Sequence, residues 1–225
     1  MISVIIPVLN EARNLPATLA RLSEVPGCEI IVVDGGSHDH SVQIAKEAGC
    51  RLLSCPPGRG AQLNLGAAAA GGEILIFLHA DTTLPPGFPA LVEKNLARPQ
   101  VVAGAFSLSL EGSWWGLKLV AWGANLRSRR LQLPYGDQAL FLRRSSFLAH
   151  GPFPEQEILE DLCLVRRLTR HGRVVTLEEK VISSGRRWQE RGIMATISNQ
   201  LILLGYLLGL PANVLAKFYR GVKGL

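Results

Sequence analysis

Two acidic residues, Asp81 and Asp34, each follow an apolar run of the chain. Residues 74–78 (ILIFL) lead into His79-Ala80-Asp81, and residues 29–33 (EIIVV) lead into Asp34-Gly35-Gly36. Such runs are typical of buried strands in a parallel sheet, and open α/β sheets bind ligands at the carboxyl ends of their strands. We therefore expect both carboxylates at one ligand-binding edge of the sheet.

Alternating strand and helix patterns surround these acids in the first half of the chain. Strands are predicted at residues 3–8, 29–33, 51–53 and 74–78, with helices at 15–22, 41–48 and 60–70 between them. Asn14 is placed to cap the first helix, whose apolar face repeats at helical spacing. This alternation predicts an α/β fold with a parallel sheet and right-handed crossovers.

The second half has a mixed α+β pattern. Helices are predicted at residues 88–97, 114–130 and 160–171, and strands at 101–110, 138–143 and 173–177. In the strand at 101–110, Phe106, Leu108 and Leu110 alternate with Ser107 and Ser109, a pattern that predicts burial of one face.

Composition limits the classes of partner. The 225 residues are 48% hydrophobic and 19% charged, with a net charge of +6 that favours an anionic partner such as a nucleotide or a phospholipid surface. No basic stripe interleaved with aromatic residues indicates nucleic acid. The chain begins in a strand pattern rather than a signal peptide, and its four cysteines lack metal-type spacing, so we expect a cytoplasmic protein.

Five short motifs occur in the order seen in family 2 glycosyltransferases with the GT-A fold. They are residues 3–11 (SVIIPVLNE), 33–37 (VDGGS), 78–81 (LHAD), 136–138 (GDQ) and 159–161 (LED). The chain resembles small bacterial members of that family, including the selenodomain-associated transferase and carotenoid glycosyltransferase subgroup. The resemblance covers residues 1–190 and implies a Rossmann-like mixed sheet flanked by helices, followed by a hydrophobic helical tail at 191–225.

The resemblance implies a nucleotide-sugar donor, with UDP favoured. The residues matched to donor contacts are Pro7, Asn10, Glu11, Asp34, Gly35, Arg59, His79, Ala80 and Asp81. Among them, Asp34 matches the acid that recognises the base, and Gly35 would let the backbone approach the ligand. Arg59, at a predicted helix start, is placed to hold the diphosphate, although a solvated surface arginine is the alternative.

Breaking a glycosyl-phosphate bond leaves negative charge on the departing diphosphate, which a divalent cation stabilises. Asp81 matches the metal-binding acid of the family's Asp-x-Asp motif, so the resemblance implies Mg²⁺ or Mn²⁺ there. His79 stands where the motif has its first acid. It would contact the ribose or pyrophosphate, bind the metal directly, or simply cap the strand end.

The acceptor side is expected in the second half. Asp161 matches the family's catalytic base, which would take the acceptor's proton and invert the configuration of the sugar. Glu160 would orient it or only favour the helix start electrostatically. Asp137 would line the acceptor pocket or support the base, and Arg187 with Trp188 resembles a basic-aromatic element that closes over donor and acceptor. Ser184 replaces the glutamine of processive synthases, which favours transfer of a single sugar.

The last segment has no charged residue between Arg191 and Lys217. Residues 201–210 are strongly apolar, but polar residues and Pro211 interrupt a membrane span. We expect an interfacial helix with Lys217, Arg220 and Lys223 as basic anchors, or a contact in a homodimer; a buried helix is the alternative. Trp114, Trp115 and Trp122 suit a membrane interface.

A tail of that kind would make the protein peripheral on the inner face of the cell membrane and would suit a lipid or carotenoid acid as acceptor, through a hydroxyl or carboxyl group.

Three other functions are weighed against this one. A nucleotidyltransferase should carry a glycine-rich basic loop after its first strand, where this chain has residues 7–11 (PVLNE). A dinucleotide oxidoreductase is disfavoured because that loop lacks Gly-x-Gly-x-x-Gly. A membrane-associated nucleotide-binding protein with a decayed catalytic site is the third, and the histidine at position 79 supports it.

Overall fold

A computed structural model describes residues 1–186, Trp188 and residues 192–223. One eight-stranded sheet runs through it in the order β3-β2-β1-β4-β7-β6-β8-β5. The strands are β1 Ile2–Val8, β2 Cys28–Asp34, β3 Arg51–Ser54, β4 Ile74–Phe77, β5 Thr82–Thr83, β6 Val101–Glu111, β7 Phe141–Arg143 and β8 Arg173–Ser184. Strands β1 to β4 pair in parallel, whereas β7 is antiparallel to both β4 and β6. The predicted change from a parallel to a mixed sheet is therefore confirmed.

Helices cover both faces of the sheet. They are α1 Leu15–Ser23, α2 Ser41–Glu47, α3 Arg59–Ala69, α4 Phe88–Leu96, α5 Leu117–Leu131, α6 Arg144–His150, α7 Glu160–Leu168, α8 Ile193–Leu207 and α9 Ala212–Lys223. Alternate residues of β1 enter different cores, since Val4 packs with α1, α2 and α4 while Ile5 packs with α3, α6 and α7. A strand buried on both faces explains the unbroken apolar runs of β1, β2 and β4.

One pattern was misread. Ser107 is fully buried instead of facing solvent, so the prediction that β6 buries one face is wrong. The reason is that β6 lies inside the sheet between β7 and β8, with a bulge in its pairing to β8 after Ala105. The Ser107 hydroxyl is satisfied there, because it donates to the carbonyl of Leu177 and accepts from Arg129.

Three local predictions also differ. Asn14 stands at the N-cap of α1, but its amide donates to Glu11 Oε2 at 2.7 Å and makes no cap hydrogen bond. The predicted strand at 138–143 opens as a 3₁₀ turn over Gly136–Gln138. The short β5 and α6 had no periodic signal, because each is too brief to show one.

The helices after the sheet lie beside α7. Tyr206 of α8 places its hydroxyl 3.1 Å from Cys163 Sγ, and its ring lies 5.3 Å from the guanidinium of Arg166. In α9, Arg220 Nη1 is 3.3 Å from Glu157 Oε1. Within the described ranges, we find no helix with the length and apolarity that a membrane crossing requires. The division of the chain at residue 190 stays a prediction.

Candidate active site

The register of the sheet brings the predicted donor residues to one edge. Strand β1 lies between β2 and β4, with Val8 opposite Asp34 and Ile5 opposite Phe77. Because the three strands are parallel, the chain leaves all of them at the same end. Asp34 and Asp81 therefore lie on either side of the loop that follows β1, as the sequence led us to expect.

The loop after β1 is bonded to the loop after β2. Asn10 has a φ of 57°, and its side-chain oxygen accepts from the backbone N–H of His38 at 2.8 Å. The backbone N–H groups of Asn10 and Glu11 donate to the hydroxyls of Ser37 and Ser41. The Asn10 side chain thus holds the loop in shape, a task that the sequence did not indicate.

Asp34 is 5% exposed, and its carboxylate accepts hydrogen bonds from the backbone N–H groups of Gly36 and Ser37. Gly36 has a φ of 94°, which suits glycine. Gly35 is required for packing, since a Cβ there would lie 3.0 Å from the side-chain amide of Gln62. That amide donates to carbonyls at the ends of β1 and β2, so it ties the two strands together.

Gly136 forms the centre of the second half of the site. Its backbone N–H donates to Asp161 Oδ2, and a Cβ added to it would lie 3.1 Å from His79 Nε2 and 3.2 Å from Asp161 Oδ2. Arg59 at the start of α3 places Nη1 3.4 Å from Glu160 Oε1. These residues line one pocket, whose apolar wall is Leu63, Phe77, Leu140 and Phe153. The structure therefore unites Arg59, His79, Glu160 and Asp161 from distant parts of the sequence.

Burial shifts the pKa values of two groups in this pocket, Glu160 and His79. Burial raises the pKa of Glu160 to about 7, with the negative charge of Asp161 adding to the effect. Burial lowers the pKa of His79 to about 3, helped by the positive charge of Arg59. At neutral pH, His79 is therefore a neutral imidazole, which can donate or accept a hydrogen bond but carries no charge.

Glu160→Gln is expected to change how stability depends on pH. Because the folded-state pKa is raised from 4.5 to about 7, the carboxyl favours folding fully below the unfolded value, and this contribution is lost as pH rises through the folded value. Relative to the parent, the variant should gain about 3 kcal/mol between about pH 4 and about pH 8. Urea unfolding at both pH values measures this. Glu155→Gln, an exposed site, is the control, and an equal response of both variants would contradict the assignment.

Asp137 lies beside this pocket. Its pKa is raised to about 6, mainly by burial. The negative charges of Asp161 and Asp81 also raise this pKa, whereas the positive charges of Arg127 and Arg59 lower it. Its Oδ1 is buried without a hydrogen-bond partner among the described residues, as is Nη2 of Arg127. The Arg127 guanidinium stacks 3.5 Å from the centre of the Tyr135 ring. A buried donor and a buried acceptor without partners suit a polar ligand group between them.

Asp81 is the candidate cation ligand. It is partly buried, and the hydroxyl of Thr82 donates to its Oδ1 at 3.3 Å. Among the described residues, no three histidine, cysteine or acidic side chains are grouped to hold a metal ion. A lone carboxylate fits a hard cation when ligand phosphates complete the coordination, so the donor set suits Mg²⁺ or Mn²⁺.

Unusual backbone conformations lie at the edges of the site. Asn10, Ala139 and Leu159 have positive φ values of 57°, 50° and 63°. Leu159 stands immediately before Glu160, where α7 begins, and Ala139 follows the turn that contains Gly136. Such conformations persist where the surrounding structure holds them, and they concentrate at functional sites.

Four predicted residues lie outside this pocket or cannot be placed. Trp188 is 9% exposed and packs with Leu117 and Trp114 at the start of α5. Arg187 lies outside the described residues. Pro7 is within β1, opposite Val33, and Ala80 is buried in the main core.

Asn64 is a residue that sequence reasoning missed. Its side chain exchanges two hydrogen bonds of 2.9 Å with the backbone of Phe153 and so fastens α3 to the segment before α7.

Gly136→Ala is expected to lower activity without unfolding the protein. The new methyl group would press on both His79 Nε2 and Asp161 Oδ2, so one of them must move by a few tenths of an ångström. Displacing catalytic groups by such amounts typically costs about 10-fold or more in turnover. Gly123→Ala on α5 is the matched control, because a Cβ there meets nothing within 4 Å. Equal turnover in the two variants would argue against the role of this contact.

The sheet order and the carboxylate-lined edge define the class of protein as a GT-A type transferase. The chain belongs to the glycosyl transferase family 2, whose family model matches residues 3–150. It is 33% identical over 129 residues to an undecaprenyl-phosphate 4-deoxy-4-formamido-L-arabinose transferase of Aeromonas hydrophila, covering 51% of this chain and 39% of that protein. The chain thus spans about two fifths of that relative.

Two other similarities cover more of the chain. An uncharacterised glycosyltransferase of Mycobacterium bovis is 29% identical over 187 residues, which cover 79% of this chain and 83% of that protein. Glucosyl-3-phosphoglycerate synthase of Mycobacterium tuberculosis, solved with Mg²⁺ and UDP, has a TM-score of 0.67 at 22% identity and covers 94% of this chain and 80% of its own. At this identity, the likeness shows the GT-A fold.

Proposed function

We propose that this protein transfers a single sugar from a nucleotide-diphosphate donor, with UDP favoured, to a hydroxyl or carboxyl acceptor, with inversion at the sugar. The observation that carries the proposal is the arrangement around Gly136. Its N–H holds the Asp161 carboxylate beside His79, at the sheet edge that also bears Asp34 and Asp81. Membership of glycosyl transferase family 2 supports the same reaction class.

On the donor side, Asp34 would face the base, and Arg59 with Asp81 would face the diphosphate. Mg²⁺ or Mn²⁺ bound at Asp81 would supply positive charge to the leaving diphosphate. Arg59 is half exposed and so can turn from Glu160 towards a phosphate, which offers its guanidinium better geometry than the present 3.4 Å contact. The neutral His79 ring would donate a hydrogen bond to the donor without competing for the cation's charge.

On the acceptor side, Asp161 would take the proton as the acceptor oxygen attacks the anomeric carbon. The Gly136 N–H fixes Oδ2 and the Leu162 N–H contacts Oδ1, so the carboxylate has one orientation. Asp137 and Arg127, with their buried unpartnered atoms, would hold a polar group of the acceptor. The protonation state of Glu160 would determine how much negative charge lies beside the base.

The acceptor class and location are inferred from chemistry and from a relative. The Aeromonas protein is named as an undecaprenyl-phosphate transferase, which supports a lipid-like acceptor. We therefore propose a cytoplasmic location, peripheral on the inner face of the cell membrane. A homodimer and the closing role of Arg187 and Trp188 stay predictions.

The test is a screen of UDP-, GDP- and dTDP-sugars with Mn²⁺, in which nucleoside diphosphate release is measured. Slow release of UDP from a UDP-sugar, abolished by a chelator, is the expected result. In a parallel assay with a nucleoside triphosphate and a sugar 1-phosphate, formation of the nucleotide-sugar with release of pyrophosphate would indicate a nucleotidyltransferase instead. Tight, cation-dependent binding without turnover of any donor, also with polyprenyl phosphate present, would indicate a binding protein with a decayed site.

A further inference from the structure

Two helices carry large apolar side chains that face solvent. The first group, the α5 face, is Trp115, Leu119, Trp122 and Leu126, which are 79%, 59%, 62% and 42% exposed. The second group, the α8 face, is Met194, Ile197, Leu201, Leu204 and Leu208, which are 59%, 44%, 49%, 54% and 75% exposed. Groups of neighbouring apolar side chains that face solvent mark interaction surfaces.

The spacing within each helix makes one stripe. Leu119, Trp122 and Leu126 in α5, and Met194, Ile197, Leu201 and Leu204 in α8, are three or four residues apart, the separation that places side chains on one side of a helix. Trp115 lies in the turn just before α5, and Leu208 is the residue that follows α8. The opposite sides are buried, by Leu117 and Ala121 in α5 and by Ile202 and Leu203 in α8. The exposed stripes are therefore not the packing faces of these helices. Trp114, in contrast, packs inward beside Trp188 and does not belong to the α5 face.

Charge distinguishes the partners that would fit. Residues 112–136 and 192–225 contain seven basic residues and no acidic residue, which leaves 17 basic and 18 acidic residues in the rest of the chain. The net positive charge of the protein thus comes from the two segments that bear the apolar stripes. Lys118, Arg129, Arg130 and Lys217 are exposed in these segments.

We propose that the α5 and α8 faces together seat the protein on the surface of an anionic lipid bilayer, with both helices lying in the interface. Apolar stripes beside exposed basic residues are the signature of interfacial helices, and tryptophan favours the headgroup region. Basic residues near anionic lipid each add attraction. The proposal rests on the peripheral membrane location of the proposed function and names the two faces that would make the contact. It does not depend on the sugar donor.

A second copy of the chain fits these faces less well. A dimer built on them would bring two basic segments together without acids to pair them. Helix pairs also normally use charged residues beside the apolar seam to set their register, and α8 contains no charged residue.

The position of the two faces suits an acceptor that arrives from the membrane. Tyr206 on α8 contacts Cys163 and Arg166 of α7, and α7 begins with Glu160 and Asp161. The α8 helix therefore rests on the helix that holds the proposed base. The α5 helix contributes Arg127, whose Nη2 is buried near Asp137 and has no hydrogen-bond partner in the described part of the chain.

The test is flotation with vesicles of phosphatidylcholine containing about a third phosphatidylglycerol, compared with phosphatidylcholine alone. The parent chain should float with the anionic vesicles and be quenched by brominated lipid through its exposed tryptophans. The double variants Trp115→Ser/Trp122→Ser and Leu201→Asn/Leu204→Asn should each bind about 10-fold more weakly. Leu148→Ser, at a 65% exposed leucine of α6 outside both faces, should bind like the parent.

Several outcomes would overturn the proposal. Equal binding to neutral and anionic vesicles, or unchanged flotation of both double variants, would remove the charge or the apolar argument. No flotation, with a concentration-dependent dimer that the α8 variant dissociates, would assign the face to a second copy. Release of UDP from a soluble donor should be equal in the parent and the double variants. Loss of vesicle binding with unchanged UDP release would therefore concern the membrane proposal alone, whereas absence of UDP release in the parent would contradict the proposed function.

Discussion

Replacing Asp161 with asparagine is expected to lower the rate of sugar transfer by about 10³-fold while donor affinity stays within about 2-fold. Asparagine keeps one oxygen that can accept the Gly136 N–H, although its amide nitrogen cannot accept from the Leu162 N–H. What it loses is the capacity to take a proton from the acceptor. Turnover with saturating donor and calorimetric titration of UDP separate the two effects.

Two comparisons make this assignment sharp. The first is Asp137→Asn, at a neighbouring acid whose pKa burial raises to about 6. This variant should weaken acceptor binding more than it slows the chemical step. Glu178→Gln, an exposed acid on β8, should leave both unchanged. If the Asp137 variant were inactive and the Asp161 variant fully active, the base would be Asp137.

The arrangement of the sheet was open to prediction because it depends on local patterns. Apolar runs such as residues 74–78 and helical spacing such as that of Leu15, Leu19 and Leu22 report burial within one element. The acids that follow two such strands therefore lie at the edge of the sheet where they were predicted. Ser107 shows the limit of this reasoning, since its burial depends on the neighbouring strand and a bulge that alternation does not encode.

The contacts that hold the site together were hidden for a different reason. Gln62 ties β1 to β2, Asn64 fastens Phe153, and Gly136 separates His79 from Asp161, each across a large distance in sequence. A single chain carries no local signal for such pairs, because each residue type is also common on surfaces. The same holds for Arg127, because no local pattern indicates that its Nη2 is buried.

His79 links the two halves of the site. Its position was expected to decide between an ordinary donor site and a decayed one, and its low pKa, about 3, makes it neutral at physiological pH. A neutral ring replacing an acid removes one negative charge from the place where a diphosphate would lie. Histidine at position 79 is therefore compatible with anion binding, and it leaves Asp81 as the acid of this motif that can bind the cation.

Asp81→Ala is accordingly expected to lower the affinity for UDP in the presence of Mn²⁺ by about 100-fold. With a chelator and no added cation, the variant should bind UDP at least as tightly as the parent, because the carboxylate without its cation only repels the diphosphate. Calorimetry under both conditions measures the difference. The cation dependence itself should vanish in the variant, whereas Asp161→Asn should retain it.

The matched control is Glu73→Ala, which removes an exposed acid just before β4, at the end of the strand opposite Asp81. It changes the net charge equally and should leave cation-dependent UDP binding intact. If Glu73→Ala reduced binding as strongly, a long-range charge effect would replace the ligand assignment. If Asp81→Ala kept full cation dependence, the ion would be held elsewhere, and His79→Ala would be the next variant, because an imidazole ligand favours Mn²⁺ over Mg²⁺.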